Sequence, residues 1–287
     1  MLTEPLTQAD LDGGPSWFSE VELRADRWRD EHTRSLVIRD GEKIVAVGSM
    51  WTSRVHGDRY WFAVVVDRER RRQGIGRQLV GELARLRPQP LPLMTRGFVG
   101  TPELAFADAL GARTIQVVPP MEVDVAHRDR LREPTPQTTS GTAVGIEMLG
   151  AAWAGAYEWT HEDWSPTAPG FAGPLLEGLE DEVDLEATSV TLDGAGSVSA
   201  MCVAFTDDKT PVLCGETTVR DAPDGERLVE SCLRRSLDVM AGRGVGAIQM
   251  DGHVSDPHWL PAWIRLAPTG PWFRLLEIDP AAGGLHR

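Results

Sequence analysis

Cysteine is scarce in this chain, at three residues, and tyrosine is scarcer, at two. Cys202, Cys214 and Cys232 form neither a CxxC pair nor a zinc-site spacing, and an odd number cannot be fully paired internally. They read as small core residues kept reduced. Long apolar runs are missing too: none approaches the roughly 20 residues that span a bilayer. The opening residues, MLTEPLTQAD, carry acid where a secretory leader carries base and an apolar centre. These absences point to a cytoplasmic protein with no membrane partner. Positive charge is also short, with 29 Lys and Arg against 43 Asp and Glu and a net charge of −14. That balance argues against nucleic acid as a general partner. It suits a cationic ligand, or simply a surface kept soluble by acid.

What is present is enough for two domains. The chain has 287 residues, 41% of them hydrophobic, which matches two cores of ordinary size. GPSWFSEVELRADRWRDEH has apolar residues at helical intervals. SLVIRDGEKIVAVGSMW reads as a hairpin around Asp40-Gly41, and RYWFAVVV as a buried strand. GIGRQLVGELARLRP puts Ile75, Leu79, Leu83 and Leu86 on one helical face before Pro88. A strand (LPLMTRG), a short helix (TPELAFADALGA) and closing strands (TIQVVPPMEVDV) complete the first half. Residues 127–141 have linker composition. The same order then returns, with a hairpin around Asp193-Gly194, the strand PVLCGETTV, the helix ERLVESCLRRSLDVMAGRG and a last strand WFRLLEI. The expectation is an internal duplication: one domain over 1–126 and a second over 142–287.

The densest signal is RRRQGIGRQL, Arg70 to Leu79, which concentrates positive charge around two glycines between a buried strand and a helix. Loop amides and a helix N-terminus there converge with partial positive charge and suit phosphate. Gly74 and Gly76 clear side chains from its approach. Arg71, Arg72 and Arg77 add charge for a ligand with several phosphates. The stretch lacks the lysine of a Walker loop and the third glycine of a dinucleotide fingerprint.

Arg71-Arg72-Gln73-Gly74-Ile75-Gly76 instead resembles the R/Q-x-x-G-x-G/A signature of the GCN5-related N-acetyltransferase (GNAT) superfamily. The resemblance implies an α/β fold of two tandem domains, each a splayed mixed sheet flanked by helices. It implies acetyl-CoA as acyl donor, its pantetheine along Val64, Val65 and Val66 and its pyrophosphate on Gln73 to Arg77. The implied reaction is acetyl transfer to the amine of a small molecule, by a monomer or homodimer and without a metal. A non-catalytic acyl-CoA-binding or regulatory protein is the alternative.

The pattern departs from the family at the residues of chemistry. Aligning AFADALGA with the helix that often carries the family's tyrosine acid puts Ala107 at that position. Tyr60, Asp58 and His56 are the nearest titratable groups to the strand, each also explicable as structural. Thr95 and Arg96 are positioned to line the acceptor side. In the second half Glu216 has the placement of a general base. Its loop, RDAPDGERL, puts Asp221 and Asp224 where pyrophosphate would bind. That half reads as having lost its cofactor, with Trp263 at the tyrosine position. Trp164, with Glu162 and Asp163, offers an aromatic and acidic pocket for a cationic acceptor. Trp153 and Trp159 fit core packing better, and HVSDPH reads as a loop rather than a metal site.

Overall fold

Strand alternation sets up the first unit. The computed structural model describes residues 1–206 and 210–281. β1 (Leu2–Pro5) leads into the short helix α1 (Gln8–Asp12), capped by Thr7. β2 (Arg34–Asp40) and β3 (Lys43–Thr52) form the hairpin at Asp40-Gly41, and β4 (Tyr60–Val66) pairs antiparallel with β3. α2 (Ile75–Arg85), β5 (Leu93–Phe98), α3 (Pro102–Ala109) and β6 (Arg113–Val118) follow. Tyr60 and Phe62 on β4 pack with Ile75, Leu79 and Leu83 of α2. Val65, one residue out of phase, packs on the opposite face with Val37, Val47, Phe18 and Leu6. No helix among the described residues is long and apolar enough to cross a membrane.

The long helix expected over GPSWFSEVELRADRWRDEH does not form. A 3-10 turn at Ser16–Glu20 is all the helix it holds. Gly13-Gly14-Pro15 stops α1, and the following backbone is bonded elsewhere. Arg24 N–H donates to Ser49 Oγ, Asp26 N–H to the Leu6 carbonyl and Arg27 N–H to the Thr33 carbonyl. These partners replace the i−4 carbonyls that a helix needs.

The second unit repeats the plan. It contains β7 (Glu122–Asp124), β8 (Thr138–Ser140), α4 (Gly141–His161), α5 (Ala172–Leu176), α6 (Leu179–Glu182), β9 (Ser189–Leu192) and β10 (Val198–Phe205). β11 (Val212–Thr217), α7 (Gly225–Gly242), β12 (Ala247–Asp251) and α8 (Trp259–Arg265) complete it. Its sheet runs β7-β12-β11-β10-β9-β8. The stretch expected as a linker is ordered chain of this unit. Arg132 N–H and Nε donate to the Glu230 carboxylate at 3.0 and 2.6 Å, and Thr135 N–H to Ser231 Oγ at 2.7 Å.

β13 (Phe273–Ile278) then returns to the first sheet, whose order is β1-β2-β3-β4-β5-β13-β6. The compact units are therefore Met1–Gln116 with the chain from Arg274 onward, and Val117–Phe273. This division departs from a cut at 126. After Pro119-Pro120 the strand β7 pairs with β12 instead of closing the first sheet. β13 takes the place beside β5 because its side chains fit there. Leu276 packs on Leu104 and Ala107, and Glu277 accepts from Arg59 Nε at 2.6 Å and Arg113 Nε at 2.8 Å.

Candidate donor-binding site

β4 and β5 begin as paired parallel strands and then part. Their register covers Tyr60↔Leu93 and Trp61↔Met94, and stops there. Beyond that rung Val64 to Val66 remain bonded to β3, so their β5-side edge faces a gap. A cavity of about 550 Å3 fills it, lined by Val64–Val66, Arg70–Arg72, Gly74–Arg77 and the α3 residues Pro102, Glu103 and Phe106. The strand, the glycine loop and the helix thus meet at one place.

Gly74 caps α2 in the left-handed region at φ 82°, which glycine adopts without the Cβ penalty. The first turn of α2 leaves amides without intrahelical partners. Arg72 also sits in that region, at φ 65°, with its side chain exposed. Three of the loop's arginines are held by the protein, Arg70 by Asp40 at 2.8 Å. Arg71 donates to the Val66 carbonyl at 2.9 Å and to Glu20 at 2.8 Å, and Arg77 to the Ala109 carbonyl at 2.6 Å. Arg71 and Arg68 in turn hold the Glu20 carboxyl below its usual range. Gln73 reaches only its own loop, at the Glu69 carbonyl.

The α3 face toward the cavity differs from the sequence alignment. Ala107 points away, buried with Leu104 and Leu276. Phe106 lines the cavity, with its ring 3.2 Å from where a Cβ on Gly76 would stand. A phenylalanine has no proton to give. Tyr60 lies at the closed end of the gap, fully buried against α2, its hydroxyl 2.9 Å from His32 Nδ1. Burial pushes that phenol up from its ordinary value. Asp58 is ion-paired to Arg59. Thr95 is half-buried on β5, just past the last paired rung.

The second unit shows the same parting of strands, but filled. β11 and β12 pair only as far as Cys214↔Asp251. The fully buried Trp259 indole then lies against Gly215, where a Cβ would come within 2.1 Å of the ring. Its Nε1 donates to the Asp251 carbonyl at 3.0 Å. Asp256 accepts from Thr217 N–H at 2.8 Å and Thr217 Oγ1 at 3.0 Å, taking up the strand edge. Asp224 caps α7 at φ 57°, as Gly74 caps α2, so Gly225 and Glu226 match Ile75 and Gly76. His258 packs on Gly225 with its Nε2 on the Arg220 carbonyl. Among the described residues Trp259 and Asp256 thus take up the edge of β11 where it parts from β12. Trp263 plays no part in it, being buried with its Nε1 on the Pro120 carbonyl.

Glu216 is fully buried on β11 and bonded through Oε1 to His253 Nδ1 and N–H; its Oε2 has no hydrogen-bond partner. Burial pushes its carboxyl up to about 7, against the opposing pull of His253. The expected acidic pocket is already taken by Arg220. That side chain pairs with Asp163 at 2.8 Å and with Glu162 at 3.5 Å, and lies 5.6 Å from the Trp159 ring. Trp164 packs on His161 and donates to the Thr160 carbonyl.

A splayed parallel pair, a left-handed glycine and a helix N-terminus follow one another in sequence here, and the comparisons say which known proteins share that arrangement. Residues 5–88, which span β1 to α2, match the model of the acetyltransferase (GNAT) family. The match lies wholly within the first unit. Acyl transfer is the chemistry of that family, and the whole chain has the tandem GNAT fold. A tandem GNAT protein from the clavulanic acid biosynthesis pathway superimposes with a TM-score of 0.62 at 12% identity, over 97% of this chain and 98% of that one. A GCN5-related N-acetyltransferase from Sphaerobacter thermophilus does so at 0.59 and 11%, over 96% and 94%. An N-myristoyltransferase from Saccharomyces cerevisiae, solved with myristoyl-CoA, scores 0.52 at 6%, over 88% and 71%. No curated protein matches the sequence.

Proposed function

We propose that this protein transfers an acetyl group from acetyl-CoA to the amine of a small molecule, with the donor held by the GNAT domain alone. The observation that carries the reading is the cavity between β4 and β5, walled by Val64–Val66 and ending at the Gly74-capped helix. In this reading the open edge of Val64 to Val66 pairs with the donor's amide-bearing arm. The amides of Ile75 to Arg77, with Arg72, receive its phosphates.

The donor supplies an activated thioester. The neutral amine nitrogen forms a bond to its carbonyl carbon and sheds a proton, the carbon–sulfur bond breaks, and a proton passes to the thiolate. Phe106 supplies none, so water serves. Calorimetric titration with acetyl-CoA, followed by measurement of free thiol with a panel of amines, tests the reading. Heat of binding and amine-dependent thiol are expected. Absence of both overturns it. The phenyl ring of Phe106 at the cavity favours a second reading, an acyl-CoA-binding protein without turnover. Binding without amine-dependent thiol marks that outcome.

A further inference from the structure

Indoles and guanidiniums lie in a row on the face of the first sheet opposite α2. Trp51 and Trp61 are paired across β3 and β4 and so share a face. Arg24 lies 4.3 Å from the Trp28 ring centre and 5.2 Å from that of Trp51, and Arg96 on β5 lies 5.4 Å from that of Trp61. All are within cation–π range. The two cations differ in how they are used. Arg24 is ion-paired to Glu22, and its backbone is tied to Ser49. Arg96 is exposed and makes no hydrogen bond or ion pair with the described residues.

Position distinguishes Arg96 from an ordinary surface arginine. Trp61↔Met94 is the last rung before β4 and β5 part. Arg96 is two residues farther along β5, on the Met94 face, and reaches back over Trp61 at the closed end of the gap, where the strands begin to part. Ala63, half-exposed and two residues along β4 on the same face, puts a small side chain about 7 Å along the strand from Trp61. Charge bears on it too. Arg59, Arg70, Arg71 and Arg113 of this domain are paired to carboxylates, whereas Arg96, like Arg72 at the glycine loop, has no ion pair among the described residues. In a chain of net charge −14, an unneutralised guanidinium 5.4 Å over an indole centre is open to an anion.

We infer that Arg96, lying on Trp61, anchors the acceptor, and that the acceptor carries a carboxylate as well as its amine. This rests on the acyl-transfer reading above. A guanidinium fork bonds a carboxylate bidentately, and stacking fixes the fork in advance. One cation matches one carboxylate charge, whereas a phosphate dianion would remain half-neutralised in an acidic chain. The small side chain of Ala63 beside Trp61 leaves an amine one residue's length from the carboxylate within reach of the gap where the proposed thioester would lie.

The test uses the full chain with acetyl-CoA and matched acceptors: glycine and glycinamide, β-alanine and its amide, phenylalanine and its amide. Free thiol reports kcat/KM. Wild type is expected to favour the carboxylate of each pair about tenfold or more, the scale of one charge-assisted bond. It does so although the amide's amine is the less basic and the more deprotonated. Arg96→Ala should bring the ratio near one with acetyl-CoA affinity unchanged, and Arg96→Lys should keep part of it. An unchanged ratio in Arg96→Ala, or a wild-type preference for amides, overturns the inference.

Calorimetry with N-acetylphenylalanine and its amide reads the anchor without turnover. Tighter binding of the acid to wild type than to Arg96→Ala supports it. Equal binding, or none at millimolar ligand, overturns it. If acetyl-CoA binds and no amine releases thiol, the acyl-transfer reading fails, and this calorimetric arm alone decides the anchor.

Discussion

Gly76 and Gly74 serve the same loop in different ways, and substitution separates them. At Gly76 a Cβ already stands 3.2 Å from Phe106, so Gly76→Asp adds crowding and a negative charge at the proposed phosphate site. Acetyl-CoA affinity should fall roughly a hundredfold, the scale of lost charge-assisted bonds, with the fold intact by circular dichroism. Gly74→Ala meets no atom within 4 Å but must hold φ 82°. It should cost about 1–2 kcal/mol of stability, read as a lower melting temperature. Gly225→Asp collides with the His258 ring instead and should destabilise the second unit without touching donor affinity.

Protonation at Glu216 and His253 has its own signature. Glu216 is raised from 4.5 to about 7 by burial. His253 is raised above 6.5 because Glu216 outweighs the cost of its burial. The folded state therefore binds more protons than the unfolded chain, and the stability these groups add is lost as pH rises through their folded values. Melting temperature should fall between about pH 5 and 8, and Glu216→Gln should flatten that fall. A wild-type melting temperature independent of pH across that window would contradict the assignment.

At the scale of elements, the exchange of β7 and β13 makes the first sheet depend on the end of the chain. A fragment of residues 1–126 keeps the whole cradle but lacks the strand that separates β5 from β6. Arg59 and Arg113 lose the nearly buried Glu277, and Leu104 and Ala107 lose Leu276. Such a fragment should neither melt cooperatively nor bind acetyl-CoA, and a covalently appended β13 should restore both. Cooperative melting of the bare fragment would show that β13 is dispensable. The hairpins, α2 and α7 were legible because their apolar periods are local. The region after Pro15 misled because its helical spacing was overridden by bonds to Leu6, Thr33 and Ser49.

For the whole molecule, two similar folds hold one open gap and one filled gap. The chain should bind one acetyl-CoA, measured as calorimetric stoichiometry. Two would mean that Trp259, Asp256 and His258 leave the second gap and that its closed form is not the functional one. The duplication thus joins a GNAT domain to a second unit of the same plan whose own cleft is closed by its side chains.

The amino-acid sequence by itself determined the cradle, since a buried strand, two close glycines and an amphipathic helix are adjacent in the chain and need no distant partner. It also showed the acid of the second loop, Asp221 and Asp224, in plain view. Tertiary structure alone decided which α3 residue meets the cavity. A shift of one residue turns a helix by about 100°, so Phe106 faces in where Ala107 had been aligned. It alone decided what fills the second gap. Trp259 reaches Gly215 across 44 positions of chain, and no local pattern encodes that contact. The strand exchange is of the same kind. Any apolar strand can complete a sheet edge, and only the fit of Leu276, Glu277 and Ile278 against side chains far back in the chain selects β13 for the first sheet.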